Sequence, residues 1–272
     1  MGLYDIMDEI TSRQITKTET GENRIMGLLT GIVTENYDKE MPGRVCVRIP
    51  VRDENANVLK WVRVAMPSGG DKWGHYFLPE IGDQVLVAFE EGNIEKPFVI
   101  GCIPRDSSKL VSSSADEKNQ YKRIRTKHGS SLTFVDSNES EEGDKDQILI
   151  QTAKELHCME LDNEKNQISI RDKENKNAII LKTEKGQMEI LAEKKLTIKV
   201  GDSIEIVMNG ENGAINVKCN TLQEKASKNV KIETDGNGSL KAAAGLTLEG
   251  GSQAKLSSGG QTTVEGSLIK IG

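Results

Sequence analysis

Five large apolar residues near the C-terminal end of the sequence, Ile232, Leu240, Leu248, Leu256 and Val264, recur at intervals of eight. Between them stand mostly small and polar residues, as in "SLKAAAGLTLEGGSQAKLSSGG". An octad spans about 26 Å when fully extended, enough for one short strand and a turn. One buried residue per strand implies a very thin interior, and so little burial does not offset chain entropy in an isolated layer. Two solutions follow. One chain coils, using several octads per turn, or three chains wrap together and each contributes one strand per layer. The spacing alone leaves both open.

The octads end a longer pattern. From Tyr121 onward, apolar residues alternate in short runs separated by Gly, Asn, Asp and Lys. Ile168/Ile170, Ile179/Leu181, Met188/Ile190, Leu196/Ile198/Val200 and Ile204/Ile206/Met208 all keep the period of two that marks strands. The runs recur every 8 to 11 residues, the signature of a repeat architecture. The first half has a different grammar. "LLTGIVTE", "RVCVRIP", "KWVRVAMP", "GDQVLVAFEEGN" and "EKPFVIGCI" are five short strands between Ile25 and Pro104. Five such strands in so few residues make a small barrel. The stretch 105–121, "RDSSKLVSSSADEKNQY", is polar, Ser-rich and unpatterned, and reads as a linker. The expected fold class is therefore all-β. An N-terminal extension covers 1–24, a barrel 25–104, the linker 105–121 and a repetitive stem 122–272.

Composition narrows the chemistry. Apolar residues make up 36% of the chain and aromatics 4%, low for a compact domain, while the net charge of −6 is mild. The N-terminus lacks a basic start and a long apolar run, so neither a signal peptide nor a membrane span is expected there. Leu3, Ile6, Met7 and Ile10 stand at helical spacing and predict a short amphipathic helix. The cysteines, Cys46, Cys102, Cys158 and Cys219, lie at least 56 residues apart, which rules against a zinc site. Small buried thiols in a reducing cytoplasm fit that usage. Three histidines offer little scope for a nucleophile and its base. The acidic run "SNESEEGDKD" reads as a solvated loop. No catalytic, cofactor-binding or metal-binding residue is expected.

The run from Trp61 to Gly101, "WVRVAMPSGGDKWGHYFLPEIGDQVLVAFEEGNIEKPFVIG", together with "GIVTEN" and "MPGRVCVRIP" before it, resembles the OB-fold of phage baseplate assembly protein V and of the type VI secretion spike proteins (the valine-glycine repeat G family). "RIRTKHGSSLTFVD" and "DQILIQT" are similar to the start of the spike stem in that family, and the octads to its triangular β-helix. The resemblance covers roughly residues 25–272. It implies a homotrimer with Ile232, Leu240, Leu248, Leu256 and Val264 facing the axis. It also implies a needle at the centre of a baseplate, driven through a target cell envelope when a sheath contracts. A cytoplasmic product of a bacterium, assembled into a virion or a phage tail-like particle such as a bacteriocin, fits this reading.

Two departures from the family shape the expected partners. Only about 24 residues precede the barrel where type VI spikes carry a large hub domain, so a separate trimeric hub protein and other baseplate components are implied. The linker is too short for the enzyme domain that some tail spikes insert there. Spikes of this family often carry a PAAR-repeat tip protein, for which Leu268, Ile269 and Ile271 are the candidate docking residues. The terminal "GSLIKIG" has no histidine, so no iron is expected at the tip. Two other classes compete. An OB-fold binds single-stranded nucleic acid through aromatics and a basic groove, for which Arg44, Arg48, Arg52, Lys60 and Arg63 are available, but the chain is acidic and poor in aromatics. A polysaccharide-binding or -degrading tailspike would need carboxylate clusters and aromatic platforms, and the stem holds one aromatic, Phe134.

Overall fold

The computed structural model describes residues 23–50 and 57–271, together with Tyr4, Met7, Lys17 and Gly21. Leu3, Ile6 and Ile10 of the expected N-terminal helix, and Arg52, lie outside the described residues.

Alternating Val and Ile residues build the first unit. Strands β1 (Leu29–Glu35), β2 (Arg44–Arg48), β3 (Val58–Val64), β4 (Gln84–Phe89) and β5 (Pro97–Cys102) close into a barrel in the order β1-β2-β3-β5-β4. Only β3 and β5 run parallel, over the short register Arg63↔Phe98 and Val64↔Val99. Nine residues, among them Val33, Val45, Val47, Ile49, Val85 and Val99, form the buried core. The interior is narrow enough that Gly31 has no room for a side chain. A Cβ there would stand 2.2 Å from a Val47 methyl. Strand β3 carries a bulge opposite Cys46, where the register slips between Val45 and Val47. Trp61 sits at that bulge with φ 53, a left-handed conformation rare for so bulky a residue.

The expected linker is not featureless. It forms a short helix, α1 (Lys109–Ser114), whose N-terminus is capped by the Ser108 hydroxyl accepting from Val111 N. Arg123 Nη1 donates to Ser113 O at 2.7 Å, pinning the helix to the strand that follows. Arg105 Nη2 donates to Gly82 O at 2.6 Å, and Lys127 pairs with Glu80 at 2.9 Å, so the β3–β4 loop meets the start of the next sheet.

That sheet is a seven-stranded antiparallel meander of β6 (Tyr121–Arg125), β7 (Ser131–Val135), β8 (Gln147–Gln151), β9 (His157–Asp162), β10 (Gln167–Asp172), β11 (Ala178–Lys182) and β12 (Gln187–Leu191). Its turns use side chains that satisfy backbone donors. Asp162 accepts from Lys165 N, and Asp172 accepts from Lys176 N and Asn177 N. Asn166 and Asn175 take up the positive φ that these turns need. Strands β13 (Lys195–Val200), β14 (Ile204–Asn209) and β15 (Ala214–Lys218) form a separate three-stranded sheet.

The repetitive stem thus begins as an antiparallel meander and not as a coil of one chain. Beyond Lys218 the described residues form neither strand nor helix, so the octads have no ladder partner within their own chain.

Candidate assembly surface

Strand alternation and the meander's register together sort its side chains into two faces. One row across the sheet reads Ile124, Leu132, Ile150, Met159, Ile170, Ile179, Ile190. Two residues along each strand, on the same face, a second row reads Lys122, Phe134, Ile148, Leu161, Ile168, Leu181, Met188. Of these fourteen positions, only Lys122 is polar. Yet none is buried. Ile124, Ile150, Ile170 and Ile190 each keep about half their surface open, and Met188 keeps 63%. The face dishes into two shallow hollows, one of about 490 Å³ around Leu132, Ile150 and Met159, the other of about 450 Å³ around Ile170, Ile179 and Ile190.

The opposite face inverts the usual rule that apolar residues are the buried ones. Thr133, Cys158, Asp162, Ser169 and Ala178 are buried there, mostly small or polar. Long paired charges fold over them. Arg171 Nη2 meets Glu160 at 2.9 Å, Lys165 Nζ meets Asp162 at 2.6 Å, and Lys182 pairs with Glu189. Burial alone would push the Asp162 carboxyl up, but hydrogen bonds from the Lys165 side chain and backbone outweigh it and hold the group below its ordinary range. The Glu160 carboxylate raises Arg171 further, and burial raises the Cys158 thiol, which keeps it protonated and inert. The Ser169 hydroxyl finds no hydrogen-bond partner.

The octad residues stand apart from both faces. Ile232, Leu240, Leu248, Leu256 and Val264 are 63% to 88% exposed, and the single chain does not bring them together. Leu268, Ile269 and Ile271 are likewise open. The apolar rows of β6–β12 were not among the residues that the sequence pointed to, although the period-two pairs in β10, β11 and β12 carry the signal. Only the register joins those pairs into one continuous face. His157 and Cys158, adjacent in sequence, differ in burial, His157 exposed and bonded to Thr152 while Cys158 is buried. No group of three His, Cys, Asp or Glu side chains among the described residues has the geometry of a metal site.

A closed five-stranded barrel is thus followed by a sheet with one bare apolar face. Residues 29–103 match the type VI secretion system/phage-baseplate injector OB domain. The chain is 33% identical over 96 residues to the type VI secretion system spike protein VgrG5 of Pseudomonas aeruginosa, a match that covers 32% of this chain and 12% of that protein. A second spike protein of that organism, VgrG4b, is 29% identical over 134 residues, which are 41% of this chain and 17% of the relative. Residues 29–103 are thus an OB domain of the phage-baseplate and type VI secretion injector type, and the chain is similar to the spike proteins through that segment. It spans only a minor part of the length of these curated relatives.

Proposed function

We propose that the protein is the central spike of a contractile tail or injection machine, a homotrimer at the baseplate centre that pierces the target envelope when the sheath contracts. The observation that carries this reading is the bare apolar face of β6–β12. Full burial of a Leu or Ile side chain is worth about 1.5–3 kcal/mol, and roughly half of that remains to be gained at seven of the thirteen apolar positions, with less at the other six. A lone soluble chain rarely leaves so large a contiguous patch open. Three copies with these faces turned inward would make a prism whose outer surface is the charged, paired face. The octads support three copies: a strand too thin to bury itself gains partners on both sides when each layer holds one strand from each chain, and the sheet edges close.

The mechanical role follows from that build. Strength in such a rod is spread over many ladder bonds, and its polar exterior keeps it dissolved. A hub protein above the barrel, other baseplate components and a conical tip protein on Leu268, Ile269 and Ile271 are the partners this reading implies. No catalytic step is part of it. Light scattering on the purified full chain tests the assembly, with three times the chain mass expected. A stable monomer at micromolar concentration overturns the trimer, and a mass of two chains would mean that two sheets pair face to face.

A further inference from the structure

The barrel carries a second surface that assembly through the stem does not use. Arg44 on β2 stands directly opposite Arg63 on β3, and Arg63 is in turn in register with Phe98 on β5. Like charges placed opposite each other across two strands are destabilising. With Lys60, Lys96 and Trp61, these residues line a cleft of about 310 Å³. The carboxylates on its rim are Glu90 and Glu95, and the contact between Lys96 and Glu90 is long, at 3.9 Å. Among the described residues, Arg44, Lys60 and Arg63 pair with no carboxylate. Several stem cations, by contrast, are paired. Lys122, Lys127, Lys145, Lys165, Arg171 and Lys182 all have acidic partners.

The cleft also holds an unfinished sheet edge. Strand β3 has β2 along one side, but β5 reaches only Arg63 and Val64 on the other. The segment Val58–Trp61 therefore has no described ladder partner on its β5 side, and its backbone is turned at Trp61 by the bulge. The Arg44 guanidinium leans on this turn, with Nη1 3.5 Å from Trp61 O.

We infer that this cleft binds an extended, carboxylate-bearing peptide segment of a partner protein, added along the free edge of β3. Backbone groups of Val58–Trp61 would supply the ladder bonds, and the fixed forks of Arg44 and Arg63 match carboxylates on alternate residues. The cleft holds four cations against two rim carboxylates, so one or two incoming carboxylates balance it. A nucleic-acid strand fits less well, because its regularly spaced phosphates would pass Glu90 and Glu95. Only Trp61 and Phe98 offer rings, and both are half-covered.

The test uses the full chain and a fluorescein-labelled octapeptide, (Val-Glu)4, read by anisotropy. Saturable binding is expected, weakened at least tenfold by Arg63→Gln or Lys60→Gln and lost in 0.5 M salt. Both replaced side chains are exposed, so the barrel should keep its melting temperature. The neutral peptide (Val-Gln)4 should bind at least tenfold more weakly. Absence of saturable binding to (Val-Glu)4, binding by both variants at parental strength, or tighter binding of an eight-residue oligothymidylate than of the peptide would each overturn the proposal.

Discussion

Met159 on β9 and Ile170 on β10 stand directly opposite each other in the middle of an apolar row seven strands wide, and half of the Ile170 side chain remains open. A pair so placed in a lone sheet gains little from its own chain. Replacing Ile170 should therefore separate folding of the chain from its assembly. Ile170→Glu should leave the sheet formed, since the new carboxylate can stay hydrated in a single chain. In the assembly it would bury a charge and cost more than about 2 kcal/mol per chain. The expected result is monomer in light scattering at concentrations where the parent is trimeric. Gln187→Glu, on the charged face, adds the same charge and should keep the parent mass.

The octad register has its own test. If Leu248 faces a threefold axis, Leu248→Asp loses about 2 kcal/mol of burial per chain and gathers three carboxylates in a dry ring, where most must protonate. Its neighbour Glu249 should point outward, so Glu249→Lys should change stability by less than about 0.5 kcal/mol. Repeat rods lose order locally. Limited proteolysis with mass mapping should show new cleavage after about residue 240 in Leu248→Asp alone, with the barrel intact. Equal resistance of the two variants would refute the register.

Asp162 gives a pH signature. Its folded pKa is depressed, so its contribution is present above the unfolded carboxylate range and is lost as pH falls through the folded value. Asp162→Asn keeps the Gln147 contact in part but loses the charge-assisted bonds to Lys165. The cost at pH 7 should be about 1–2 kcal/mol, kept low because the Lys165 ammonium is largely exposed. Urea titrations at pH 7 and pH 3 should show the gap between parent and variant narrowing at the lower pH. A gap independent of pH would assign the loss to shape and not to charge.

Gly31 offers a test of the barrel alone. A methyl there would meet Val47 at 2.2 Å and Ile49 at 3.1 Å, both core residues. Gly31→Ala should cost about 1–3 kcal/mol by overpacking. Tryptophan fluorescence during urea unfolding reads this directly, since both tryptophans, Trp61 and Trp73, lie in the barrel segment. The assembled mass at low urea should not change.

The last prediction concerns the tip. Deleting residues 267–272 removes Leu268, Ile269 and Ile271 and should abolish capture of a purified PAAR-repeat protein while leaving the trimer mass unchanged. Capture at parental strength would show that the end is not a docking surface.

The barrel was legible in the sequence because its strands are short alternating or continuous apolar runs bounded by turn residues. Its bulge was not, since Trp61 is a good strand residue and nothing local marks its positive φ. Helix α1 was hidden by serine. The same residue type that reads as linker supplies the Ser108 cap. Within "RIRTKHGSSLTFVD" the chain folds back at Gly129, which has φ 103, so the stretch spans a hairpin. The apolar face was legible strand by strand, through pairs such as Ile168/Ile170, but its continuity depends on seven registers that no single segment encodes. The octads show the opposite limit. Their period is plain in the sequence, yet among the described residues of the single chain they form no strand, and spacing alone does not say what each octad packs against.

Because every strand of the meander pairs only with its neighbours in sequence, the sheet has no fixed width written into it. Duplicating one hairpin would add two rungs, about 9–10 Å, and leave every other register as it was. Inserting a single residue inside a strand would instead turn the following side chains onto the wrong face. Gains and losses in such a gene should therefore come in whole hairpins. Descendants of one ancestor can then differ in the span of this sheet while their barrels stay nearly unchanged.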